Sequence, residues 1–210
     1  MADIRTVHLA VYPTWADWEP GFLVSRVNNP AWQRRPGSLR VRTVASSLEP
    51  VLSMGGVRVL PDLTFDELSP ADSAMLVLPG GDLWDADQHP ATSEPLRAAS
   101  AFLEAGVPVA AICGATAGLA RAGLLDDRAH TSSAPEYLLQ SGGAYAGGHL
   151  YRHEDSVTDR GLITAGPTHP VEFARAALEQ LEVFEPEALD AWYRLFGRQD
   201  PSGFAVLAGA

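Results

Sequence analysis

The sequence predicts one α/β domain built on a mostly parallel sheet, and three observations predict it. Short, almost wholly apolar runs stand at residues 6–12 (TVHLAVY), 74–78 (AMLVL), 107–113 (VPVAAIC) and 162–165 (LITA). Segments with helical spacing alternate with them. Strands that are apolar on both faces belong in a parallel sheet covered on both sides by helices. The chain has 210 residues, slightly long for one domain and short for two. We read residues 1–197 as that domain and residues 198–210 as a loosely held C-terminal tail.

The elements follow in order. Residues 6–12 end at Pro13 and read as the first buried strand. Residues 20–27 carry Phe22, Leu23 and Val27, and Pro20 suits the first turn of a helix there. Residues 39–45 (LRVRTVA) alternate apolar and polar, as in a half-exposed strand. Within residues 51–60, Gly55-Gly56 joins two short strands in a hairpin. The strand at 74–78 stops at Pro79-Gly80-Gly81. Residues 93–105 place Leu96, Ala99, Phe102 and Leu103 on one helical face, with Ser93 as cap and Gly106 as stop. The strand at 107–113 runs into a small-residue helix over 114–125. Helices are expected at 135–141, 170–181 and 186–196, and the last core strand lies at 162–165 between the first two.

Composition narrows the chemistry. Charge is −11 and the pI is near 4.8. Such a chain repels nucleic-acid backbones and anionic membranes, so no nucleic-acid or membrane partner is expected. No apolar stretch approaches the roughly 18 residues of a membrane span. The opening MADIRTVHLAVYP lacks a basic-then-apolar signal layout, which reads as cytoplasmic. All 15 basic residues are arginine, so Schiff-base chemistry on a lysine side chain is excluded. The single cysteine, Cys113, makes no internal disulfide and no multi-thiolate metal site. It is either an inert core thiol or a reactive one.

In a doubly wound sheet, ligands sit beyond the carboxyl ends of the strands, and three segments fall there. Cys113 follows a buried strand and precedes Gly114, Ala115 and Ala117. A nucleophile on so sharp a turn is strained, and small neighbours relieve the crowding. The turn also sets the thiol at a helix N-terminus, which favours a thiolate. Gly80 and Gly81 let backbone amides approach a ligand. If Gly81 faces Cys113, its N–H and that of Gly114 form an oxyanion hole. Asp17-Trp18-Glu19 follows the first strand, and Glu19 reads either as a general acid or base or as a helix-end charge.

The rest of the chain offers less. Of six histidines, His8 reads as a core residue, His169 as a helix-end residue, and His149 with His153 as a weak metal pair beside Glu154; His89 and His130 complete the set. No metal site is expected. Trp15 and Trp18 flank the acidic segment as pocket walls, core or interface.

Taken together, LVLPGG at 76–81, AAICGATAG at 110–118, an acidic residue after the first strand and GLITAGPTHPVEFA at 161–174 resemble the DJ-1/PfpI superfamily. That group includes the Parkinson-disease protein, heat-shock chaperone-glyoxalases, protease-like proteins and isonitrile hydratases, and is related to class I glutamine amidotransferase domains. The resemblance spans about residues 4–182. It implies a flavodoxin-like three-layer sandwich, a nucleophile elbow at Cys113, and a protonated Glu19 that hydrogen-bonds the thiolate. It also implies an anion pocket at Gly81 and Gly114, no cofactor, and a homodimer. Asp17 and Trp18 fall in the same binding segment. Gly114 stands where protease-like relatives carry a histidine. In 129–133 (AHTSS), His130 or Ser132 takes the place of the family's other histidine, which disfavours proteolysis and glutaminase chemistry.

Three functions compete. One is a cysteine-dependent enzyme acting on a small-molecule substrate by hydrolysis, hydration or glyoxalase-type rearrangement. The second is a redox sensor or protective protein using the same sulfur. The weakest is an amidotransferase-like or non-catalytic binding domain.

Overall fold

The computed structural model describes residues 4–85 and 90–209; His89 lies outside them. Seven strands form the central sheet. They are β1 (Arg5–Ala10), β2 (Leu39–Ala45), β5 (Leu63–Thr64), β6 (Met75–Leu78), β7 (Val109–Ile112), β8 (Ser156–Asp159) and β9 (Leu162–Ala165). Their order is β5-β2-β1-β6-β7-β9-β8, and every pairing is parallel except β8 with β9. Strands β3 (Val51–Leu52) and β4 (Arg58–Val59) make a separate antiparallel hairpin. The central strands β6, β7 and β9 are buried at every residue. That is why they lack polar alternation in the sequence.

Two groups of helices flank the sheet. On one side α1 (Gly21–Asn28) packs on α5 (Pro170–Gln180), α5 on α6 (Pro186–Phe196), and α6 on α7 (Ser202–Leu207). In the other group, α2 (Ser93–Glu104) rests on β6 and β7, and α3 (Gly114–Arg121) meets α4 (Pro135–Ser141). The expected three-layer α/β sandwich is therefore the fold. No helix among the described residues is long and apolar enough to cross a membrane.

Several local readings change. Ser93 is the first residue of α2 rather than its cap, and its Oγ donates to the Pro90 carbonyl at 2.8 Å. The segment from Arg198 is not loose: α7 buries Leu207. Strands β5 and β8 had no signal in the sequence. β8 is a short, partly polar edge strand. It reaches β9 through the two-residue turn Arg160-Gly161, both at positive φ (45° and 79°), the geometry that suits a tight hairpin.

Candidate active site

Cys113 sits directly after β7 with φ 58° and ψ −130°, a backbone conformation that residues with a side chain rarely adopt. Such strain costs about 1–3 kcal/mol and survives only where the surroundings over-determine it. Here they do. The Cys113 N–H donates to the Ala165 carbonyl at 3.0 Å. The Cys113 carbonyl accepts from the Thr116 N–H at 3.1 Å and from the Thr116 hydroxyl at 2.6 Å. The elbow expected from small residues is thus pinned from β9 and from the first turn of α3.

Trp84 explains why those residues are small. Its ring is fully buried, and its Nε1–H reaches the Tyr12 hydroxyl at 3.0 Å and the Pro79 carbonyl at 3.1 Å. The Tyr12 hydroxyl donates to the same carbonyl. A Cβ on Gly114 would lie 2.9 Å from the Trp84 Cβ, and one on Gly118 would overlap the indole ring. The indole therefore presses on α3 and fixes its start, and Cys113 with it.

Glu19 comes to the cysteine from the loop before α1. It is completely buried, and its Oε2 accepts from the Gly80 N–H at 2.6 Å. Its carboxyl lies beside the Cys113 thiol, close enough for each group to shift the other's ionisation. Its Oε1 is buried with no partner among the described residues. A carboxylate oxygen left so is costly. Burial accordingly raises the Glu19 carboxyl from 4.5 to about 6, against the opposing hydrogen bonds of Gly80 and Cys113. A Cβ on Gly80 would lie 2.8 Å from the Cys113 Cβ, 2.9 Å from its Sγ and 3.0 Å from the Glu19 oxygen. Only glycine lets the strand end pass between the two groups.

The thiol itself moves opposite to the sequence expectation. Burial and then the Glu19 carboxylate push it up to about 12, while the Gly114 N–H acts downward. The helix-end effect is present and is outweighed. The two groups titrate as a pair. The pair sheds one proton near pH 6 and keeps the other to about pH 12. Between those limits it carries one negative charge and one shared proton.

The pocket above Cys113 has a volume of about 220 Å³. Gly81 and Gly114 line it, and so does Trp18, half of whose surface is open. Asp17 does not line it. Its carboxylate accepts from the Ser53 hydroxyl and from the Gly55 N–H, the latter at 3.0 Å, and so anchors the β3–β4 hairpin beside the pocket. His130 is not brought to Cys113 either. Its Nδ1–H donates to the Arg128 carbonyl at 2.7 Å, and Nε2 accepts from the Tyr145 hydroxyl at 2.6 Å. Both ring nitrogens are thus engaged, and the buried ring packs edge-on against Tyr145 and Tyr151. The Ser132 hydroxyl donates to Thr116 Oγ1 at 2.6 Å, under the elbow. Met54, Asp82, Asp85, Ser133 and Tyr137 also line it. None of these five carried a signal in the sequence, because they converge from separate loops and from α4. Among the described residues, no group of three or more His, Cys, Asp or Glu side chains is placed to hold a metal ion.

Comparison with known proteins agrees with this fold. The protein of Bacillus subtilis named "Uncharacterized protease YoaZ" is 37% identical over 205 residues, which cover 97% of this chain and 96% of that one. The "Glutathione-independent glyoxalase DJR-1.2" of Caenorhabditis elegans is 26% identical over 150 residues, 70% of this chain and 75% of its own. The crystal structure of a thiJ/pfpI family protein from Bacillus anthracis superimposes with a TM-score of 0.91 at 35% identity, covering 100% of this chain and 98% of that one. The profile of the DJ-1/PfpI family matches residues 5–180, so this chain belongs to the DJ-1/PfpI family.

Proposed function

We propose that this protein is a cysteine-dependent enzyme that acts on a small electrophile by hydrolysis, hydration or a glyoxalase-type rearrangement, with no organic cofactor. The observation that carries the reading is the pairing of a strained, pocket-lining Cys113 with a buried carboxyl whose proton persists to about pH 6. Sulfur attacks the carbonyl, nitrile or amide carbon of the substrate. The π electrons shift to oxygen or nitrogen, which takes the proton shared by Glu19 and Cys113. Gly81 and Gly114 line the pocket in which that charge develops, and their amides are the groups we assign to hold it.

The relatives' names divide between protease and glyoxalase. The pocket favours the small-molecule side. At about 220 Å³ it is smaller than the roughly 300–1,000 Å³ of ordinary ligand sites. Neither nitrogen of His130 is left to take a proton from the thiol. A second reading uses the same sulfur as an oxidation sensor, and the single, half-buried thiol supports it. Rapid oxidation by peroxide without turnover of any aldehyde, nitrile or amide would favour that reading.

Alkylation by iodoacetamide across pH 5–12, in wild type and in Glu19→Gln, tests the enzyme reading. Wild type should show two steps, one near pH 6 and one at high pH, and the variant should keep only one. A single unshifted step in both proteins, or an inert thiol, would overturn it.

A further inference from the structure

The walls and the rim of the Cys113 pocket differ in charge. Trp18, Met54 and Tyr137 supply its larger side chains, and Asp82 and Asp85 stand exposed at its edge. Among the described residues, no arginine or histidine lines it. The Tyr137 hydroxyl donates to the Asp85 carboxylate at 3.0 Å and holds it over the opening. The charge of Asp85 is felt on the pocket floor, where it adds to the upward push on the Cys113 thiol. Arg121 acts on Tyr137, but its guanidinium is committed to the carbonyls of Trp84 at 2.8 Å and Ser141 at 2.6 Å. The Glu19–Cys113 pair adds a further negative charge beneath.

We infer that this pocket selects its substrate by charge: it takes small neutral or cationic electrophiles, refuses carboxylates and phosphates, and relies on Asp85, held by Tyr137, for the selection. The inference rests on the reading of Cys113 as an accessible nucleophile. An anion entering the pocket meets two rim carboxylates and the charged pair, with no cation among the described lining residues; Arg121 acts from outside the lining, through Tyr137. A cation meets the same carboxylates beside the aromatic side chains of Trp18 and Tyr137.

Three methanethiosulfonate reagents of similar size test this without knowledge of the substrate. One carries an aminoethyl group, one a methyl group and one a sulfonatoethyl group. Each turns a thiolate into a mixed disulfide and releases methanesulfinate. The readout is the rate of Cys113 modification, divided by the rate for the neutral thiol 2-mercaptoethanol. The cationic reagent should exceed the anionic one by at least about tenfold on this scale, and Asp85→Asn should reduce the ratio about fivefold. Asp85→Glu should restore it, and 0.5 M NaCl should shrink it in wild type. Loss of the Asp85 charge also eases ionisation of the thiol, so the ratio between reagents is read rather than any single rate, and an unchanged denaturation midpoint shows that the Asn variant is folded. Equal normalised rates for all three reagents would overturn charge selection and leave the nucleophile reading intact. A thiol that reacts with none of them until the protein is unfolded would sink both. A ratio that persists in folded Asp85→Asn would remove Asp85 from the account.

Discussion

At the floor of the Cys113 pocket each group is fixed by several others, whereas at its rim side chains hang from single contacts or none. The sulfur stands on a residue pinned by Ala165 and Thr116, beside a carboxyl pinned by Gly80, over an indole pinned by Tyr12 and Pro79. At the rim, Trp18 and Met54 are 49% and 44% exposed, and among the described residues Tyr137 alone holds the Asp85 side chain. Reactivity set by the floor therefore belongs to the fold, while selectivity set by the rim can change without disturbing it.

The largest test of that contrast is Trp84→Ala. The change removes a fully buried indole and leaves the Tyr12 hydroxyl without its donor. Large aromatic truncations in a core cost about 3–5 kcal/mol. Denaturant titration should show a loss of that size, and Cys113 alkylation should lose its two-step pH profile as the elbow relaxes. A loss below about 1 kcal/mol would mean that the floor is not over-determined.

The second test is a pH dependence of stability. In the fold Glu19 titrates at about 6, against 4.5 when unperturbed. The native state therefore binds the extra proton between those values. The stabilisation is complete below pH 4.5 and is lost as pH rises through 6, a total of about 2 kcal/mol. His8 works in the opposite direction in an overlapping window, since burial lowers it from 6.5 to about 4. Burial lowers His130 as well. The quantity to measure is therefore the difference between wild type and Glu19→Gln, by denaturant titration from pH 4 to 8. Wild type should lose about 2 kcal/mol relative to the variant as pH rises. A flat difference would return Glu19 to the role of a helix-end charge.

The same contrast explains how much was legible in the sequence. The floor constrains residue type, so it leaves a local trace. A strand buried on both faces has to be apolar, and a turn pressed by an indole has to be small. VAAI followed by Cys113 and GATAG records both demands. The rim constrains only where chains meet. Met54 comes from the β3–β4 hairpin, Asp85 from the turn after β6 and Tyr137 from α4, and no local spacing relates them. His130 misled for the same reason. It lies one residue from Thr131 and two from Ser132, which touch the core beneath the elbow, yet its ring turns into the Tyr145–Tyr151 cluster. Strand β8 escaped because SVTD is largely polar, unlike the four-residue apolar strands β6, β7 and β9, and helix α7 because six residues are too few to show a period.

The smallest expected effect is the sharpest check on the rim. Met54 is held in place by its backbone N–H, which donates to the Trp15 carbonyl at 2.9 Å, and that bond survives any change of side chain. Met54 lines the pocket and leaves a little under half of its surface open to water. Met54→Ala should therefore alter stability by less than about 0.5 kcal/mol. It should leave both steps of the alkylation profile at the same pH, because neither Glu19 nor the Cys113 elbow loses a partner. Removing the side chain widens the opening, so a bulky maleimide should gain in rate over iodoacetamide. If Met54→Ala instead shifts the step near pH 6, the rim and the floor are coupled, and selectivity in this site could not change without changing the reactivity of its sulfur.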